Sequence, residues 1–151
     1  MTRGSASYSS DVPEASVPME LAAIVKRSQT DFELEFYGNI LKNNAAYSEV
    51  LTQMGQIFTL KNRHAEALEI DLRHAQLRPN NPVVLYNLGC SQALCGHLQE
   101  AVQVLRRAVD QGYDDADHMA ADPDLEALYD LPEFIRLLSE ISEDSSETRF
   151  V

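Results

Sequence analysis

The sequence predicts an all-α fold of stacked antiparallel helix pairs, and three observations carry that expectation. Residues 48–81 and 82–115 superpose as two copies of one 34-residue unit, in which Leu51 meets Leu85, Met54 meets Leu88, Gly55 meets Gly89 and Ala67 meets Ala101. A period of this length points to helical hairpins, which stack because one hairpin cannot bury its apolar face alone. Within 48–61, Val50, Leu51, Met54, Ile57 and Phe58 recur at spacings of three and four, the mark of one helix face. Finally, Asn62 falls on Gly96, two residue types that tolerate the left-handed backbone ending a helix.

In chain order, residues 1–17 are rich in Ser, Ala and Pro without apolar periodicity, and disorder is expected there. A helical domain over 18–142 follows. Residues 18–47 form a degenerate unit, with a short helix over 19–26 (Leu21, Ile24, Val25) and a longer one over 31–43 (Phe32, Leu34, Phe36, Tyr37, Ile40, Leu41). The repeat 48–81 places its second helix over 65–77, with Leu68, Leu72 and Ala75 as its stripe. Pro79 and Pro82, around Asn80 and Asn81, end this unit and start the repeat 82–112. Its second helix runs over 99–109 with Val102, Leu105, Ala108 and Val109 inward. Glycine inside a helix costs about 1 kcal/mol. Gly55 and Gly89 therefore mark close helix approach, and Ala67 and Ala101 are expected to receive it. Residues 113–142 supply closing helices. Asp122 before Pro123 suits a helix start, and Pro132 opens a helix to about residue 141. Residues 143–151 are expected to be a flexible acidic tail.

These residues resemble the tetratricopeptide repeat. Counting from Ser48, the family pattern is met by Leu51, Met54, Gly55, Phe58, Ala67 and Pro79; counting from Pro82, by Leu85, Leu88, Gly89, Ala101, Leu105 and Ala108. Asp71, His74, Gln92 and Tyr113 depart from it, which suggests a relaxed register or partial exposure of the second helix in unit one. Residues 112–138, with Asp122-Pro123-Asp124-Leu125 and Leu131-Pro132-Glu133-Phe134, resemble the segment that closes bacterial arrays of this repeat. The resemblance implies a short right-handed solenoid that holds other proteins: an adaptor or scaffold, a small bacterial secretion or assembly chaperone, or a self-associating protein forming a homodimer.

It also implies where a partner sits, because such arrays line a concave groove with their first helices. The corresponding positions are Glu49, Thr52, Gln53, Gln56, Thr59 and Leu60 in unit one, and Val83, Tyr86, Asn87, Cys90, Ala93 and Leu94 in unit two. Tyr86 and Asn87 are the foremost candidates: an aromatic gives contact area at low entropy cost, and an amide can hold a peptide backbone through donor and acceptor. On this placement Tyr86→Ala is expected to leave folding nearly intact. Family members that clamp a C-terminal carboxylate carry a Lys where this chain has Thr52, so that mode is not expected.

Charge is uneven along the chain. Residues 21–112 carry nine acids and nine bases, whereas 113–151 carry twelve acids against Arg136 and Arg149, a net −10 of the chain's −12. Such a block repels phosphates, and no basic patch offsets it, so nucleic acid is not an expected partner. The acids cap short helices and solubilise an array end, or they attract a basic partner segment. Alternating acids with a properly placed glycine, as calcium needs, are missing. Cys90 and Cys95 diverge by about 140° around one helix and are expected to stay reduced. The histidines are scattered, giving no metal set. No phosphate loop, nucleophile elbow or zinc-protease motif occurs, so the chain is expected to be non-catalytic, without cofactor or metal. No run approaches the roughly 20 apolar residues of a membrane span. A cytoplasmic protein with a protein or peptide partner is the expectation.

Overall fold

A computed structural model describes residues 29–44 and 47–147. It contains helices α1 (Gln29–Asn43), α2 (Ser48–Leu60), α3 (His64–Leu77), α4 (Pro82–Leu94), α5 (Leu98–Asp110) and α6 (Ala116–Ala121). A 3-10 helix (Pro123–Leu128) and α7 (Pro132–Glu147) complete it. Consecutive helices pack as antiparallel neighbours from α1 to α5, and the 3-10 helix returns against α4 while α7 covers α5.

Hairpin geometry follows from three matching helix ends. Asn62 (φ 56°), Gly96 (φ 80°) and Gly112 (φ 104°) take the left-handed conformation. In each case the following amide reaches back five residues: Arg63 to Phe58, His97 to Gln92 and Tyr113 to Ala108, at 2.8 to 2.9 Å. These bonds satisfy helix-terminal carbonyls and turn the chain sharply. At the start of α4, Asn81 accepts from the amides of Val83 and Val84, with Pro82 in the first turn where no donor is needed.

Two cores result. Leu41, Val50, Leu51, Met54, Phe58 and Ala67 form the N-terminal one. A larger one gathers Leu85, Leu88, Leu105 and Ala108 with Met119, Leu125, Leu128, Phe134 and Leu137 from the closing segment. Helix α3 joins them, giving Ala67 to the first and packing Leu68 and Ala75 against the second.

Several sequence expectations are corrected. The partial exposure foreseen for α3 is not found at its polar departures: Asp71 and His74 are 5% and 2% exposed. Each has one polar partner in place, although His74 Nδ1 is left buried without one. Ser91 Oγ donates to Asp71 Oδ2 at 2.5 Å, and Ser48 Oγ lies 2.6 Å from His74 Nε2. The glycines do mark close approach, but the residue above them is not chiefly the alanine. A Cβ on Gly89 would stand 2.7 Å from Leu105, and one on Gly55 would stand 2.8 Å from Asp71 Oδ1. The last helix also passes residue 141 and runs to Glu147, so the expected tail is helical at its start. The expectations for 1–17, 19–26 and 148–151 lie outside the described residues.

Candidate functional site

The first-helix face carries a pocket of about 360 Å³. Helix α2 gives it Thr52, Gly55, Gln56, Thr59 and Leu60; α3 gives Asp71; α4 gives Tyr86, Asn87, Cys90 and Ser91. The closing segment supplies His118, Asp122 and Asp124. Helical spacing explains the α2 and α4 sets, since residues three and four apart share one face. The last set arrives because Gly112 reverses the chain and the 3-10 helix folds back over α4.

Asp122 fastens that return. Its Oδ2 accepts from Tyr86 Oη at 2.6 Å, its Oδ1 accepts from the Asp124 amide at 3.0 Å, and its carbonyl accepts from Tyr129 Oη at 2.7 Å. The Tyr86 ring stacks on Tyr113, with centroids 4.4 Å apart and planes 3° from parallel. Tyr113 is thus a departure from the repeat pattern that covers the neighbouring aromatic. Capping by the acid block is seen again where Asp115 accepts from the His118 amide at 2.9 Å.

Electrostatics inside the pocket are dominated by buried acid. Burial pushes the Asp71 carboxyl from its ordinary 3.8 up to about 6, with the Ser91 hydrogen bond pulling part of the way back. Asp124 is also raised, by burial and then by Asp122, against a lowering influence of His64. Tyr113 is pushed to about 12, first by burial. Burial lifts the Cys90 thiol far above its usual value, with Asp122 and Asp124 adding to it, so it is held as an unreactive thiol.

Of the residues expected on the groove, Thr52, Gln56, Thr59, Leu60, Tyr86, Asn87 and Cys90 are brought together around this pocket. Glu49, Gln53, Val83 and Leu94 are not among them; the first three are exposed and Leu94 is half-buried. Ala93 is buried in the C-terminal core. The free outward position foreseen for Tyr86 is corrected: it is 5% exposed, because the closing segment covers it. Gly55, Asp71, Ser91, His118, Asp122 and Asp124 were missed as lining residues. Asp71 alone had a local signal, being an acid at a position the repeat reserves for a large apolar group. Among the described residues, no group of His, Cys, Asp and Glu is arranged to hold a metal ion, and no helix is long and apolar enough to cross a membrane.

No family model matches the chain. No curated protein matches it. A solved structure titled "MamA MSR-1 C2" aligns over 82% of this chain and 73% of that one, at 19% identity and a TM-score of 0.59. The likeness is one of fold: an all-α, short right-handed solenoid of stacked antiparallel helix pairs of the tetratricopeptide type.

Proposed function

We propose that this chain is a protein–protein interaction module, an adaptor or scaffold that holds a peptide or partner helix on its first-helix face. The carrying observation is the pocket itself. Helices α2 and α4 present polar side chains, Thr52, Gln56, Thr59 and Asn87, around a concave space that no described residue fills. Asn87 is half-buried there, and among the described residues its amide makes no hydrogen bond within the chain, so donor and acceptor are both open to a peptide backbone. Cys90 is an inert thiol and Tyr86 is tied to Asp122, which supports holding rather than bond-making. The segment over 112–138 serves in this reading as the array's closing piece, its apolar residues sealing unit two.

Affinity capture from the native host tests this, comparing wild type with Gln56→Ala/Asn87→Ala. Both positions lie outside the two cores, so the variant is expected to keep its helical circular dichroism and melting midpoint. A partner held by wild type and lost by the folded variant supports the reading. Equal retention would move the interface away from this face.

Self-association is a second reading, favoured by Phe32 and Phe36 on α1, which are 62% and 53% exposed. Sedimentation across a concentration series decides it: a mass that stays monomeric while Phe32→Ser changes nothing removes the idea.

A further inference from the structure

We infer that the pocket receives a basic side chain, an arginine or lysine projecting from the partner segment. This rests on the groove reading above and names the chemistry of the occupant. Three carboxylates line the space, Asp71, Asp122 and Asp124, and none of the lining residues is a lysine or arginine. His118 is the single lining group able to offset them, and it lies 3.8 Å from Asp122 alone. Negative charge drawn into a partly desolvated space is unfavourable until a cation joins it.

Asp71 shows the deficit most directly. Its side chain is 5% exposed, Ser91 donates to Oδ2, and Oδ1 receives no hydrogen bond from any described residue. A carboxylate offers about four acceptor sites. One donor from the chain leaves most of them open to a ligand, and Oδ1, which keeps access to the pocket space, lies against Gly55 on the lining. Asp122 is different. Its two oxygens are occupied by Tyr86 and the Asp124 amide, so it adds charge while holding the wall in place.

Outside the lining, His64 acts on Asp124, whereas Lys61, Arg63 and Arg106 pair with Asp31 (3.0 Å), Glu66 and Glu140. The lining also includes apolar surface at Gly55, Leu60 and Cys90, which suits the methylene stem of a long basic residue. A volume of about 360 Å³ sits at the small end for ligand pockets, the scale of an inserted side chain. A planar guanidinium adds bidentate geometry toward carboxylates. Anionic segments and chain-terminal carboxylates are repelled by the same field.

The test is an NMR titration of the full chain with acetyl-Gly-Arg-Gly-amide and with matched peptides carrying Lys, citrulline or Glu at the centre. The Arg and Lys peptides are expected to shift the amides of Gly55, Asp71, Ser91 and Asp124 saturably. Citrulline, nearly the same shape without the charge, should bind about tenfold more weakly, as should Glu. Asp71→Asn keeps size and an acceptor for Ser91, and should weaken the Arg peptide by about tenfold. Asp124→Asn lies outside both cores and should act in the same direction, so the idea stays exposed to failure even if Asp71→Asn folds poorly. Equal response to citrulline would overturn the inference, as would shifts confined to the acidic outer surface over 133–143, or no saturable shift. If these fail while partner capture still depends on Gln56 and Asn87, the basic occupant alone is wrong. If capture fails too, the groove reading falls with it.

Discussion

The two repeats share a backbone plan and differ in what they bury. In unit two, Leu105 and Ala108 occupy the inward positions of the second helix and join an apolar core that continues into the closing segment. In unit one the same positions, 34 residues earlier, hold Asp71 and His74, equally buried. Apolar burial stabilises at about 25 cal/mol per Å² with no directional demand, whereas each buried polar group needs a partner placed for it. Ser91 and Ser48 are those partners. Unit two therefore extends the apolar core, whereas unit one buries a carboxylate, beside the pocket, that contributes no such apolar burial.

The largest expected effect tests how tightly each unit is closed. Gly89→Leu places a side chain where even a Cβ would stand 2.7 Å from Leu105, which is fully buried and cannot yield. A loss of about 3 kcal/mol or more is expected in urea unfolding. Gly55→Leu should cost at least about 1 kcal/mol less, because Gly55 borders the open pocket and its side chain can turn into that space. Equal losses would show that the two units are closed alike.

Next in size is the clasp joining the closing segment to unit two. Asp122→Ala removes the acceptor for Tyr86 and the cap on the Asp124 amide, leaving a buried phenol unpaired. A loss of about 2–3 kcal/mol is expected. Tyrosine quenching by iodide should rise in the native baseline as Tyr86 and Tyr113 open. Asp115→Ala, which removes only the exposed cap of a short helix, should cost under about 1 kcal/mol. A quiet Asp122→Ala would mean that apolar packing alone seats this segment.

These same contacts mark the boundary of what the chain's one-dimensional pattern contains. Helix positions, the close approach at the two glycines (though not the residue that meets it) and the reversals at Asn62 and Gly96 follow from spacings within a single hairpin, and the 34-residue offset repeats them. The burial of Tyr86 does not, since its covering partner Asp122 lies 36 residues away in a segment without the repeat's period. Asp71 with Ser91 and His74 with Ser48 are separated by 20 and 26 residues. A polar residue at an apolar position is visible in sequence. Whether it turns outward or stays buried depends on a donor elsewhere, and no periodicity encodes that match. The pocket's acidic wall was hidden for the same reason: its carboxylates belong to two distant parts of the chain that only the fold brings together.

A smaller effect comes from the Asp71 charge. Its folded-state value near 6 exceeds the ordinary 3.8, so between these limits the folded protein binds more protons than the unfolded chain. Burying the ionised form therefore opposes folding above pH 6, and the penalty fades as pH falls toward 4. A rise of this size corresponds to roughly 3 kcal/mol. Asp71→Asn removes the charge but weakens the hydrogen bond from Ser91, leaving an expected net gain of about 1–2 kcal/mol at pH 7. Stability equal to or below wild type at pH 7 would mean that the carboxylate is already compensated.

The same variant isolates the weakest of these effects, at His74. Burial, and then Arg78, hold its imidazole below the ordinary 6.5, against an opposing pull from Glu49. The folded state thus binds fewer protons at that site than the unfolded chain, and its stabilising contribution is complete above pH 6.5 and lost as pH falls through the lowered folded value. In wild type this loss runs against the gain from Asp71 over the same acidic range, and the two partly cancel. With Asp71→Asn the gain is gone, so unfolding free energy should fall more steeply between pH 6.5 and 4 than in wild type. Adding His74→Gln should flatten that slope again, because an amide at this site has no proton to take up. The Glu66 and Glu140 carboxyls, lowered by Arg63 and Arg106, are exposed and are common to all three curves. Parallel curves for wild type and Asp71→Asn would show that Asp71 does not titrate as its burial requires, and an unchanged slope on adding His74→Gln would show the same for His74.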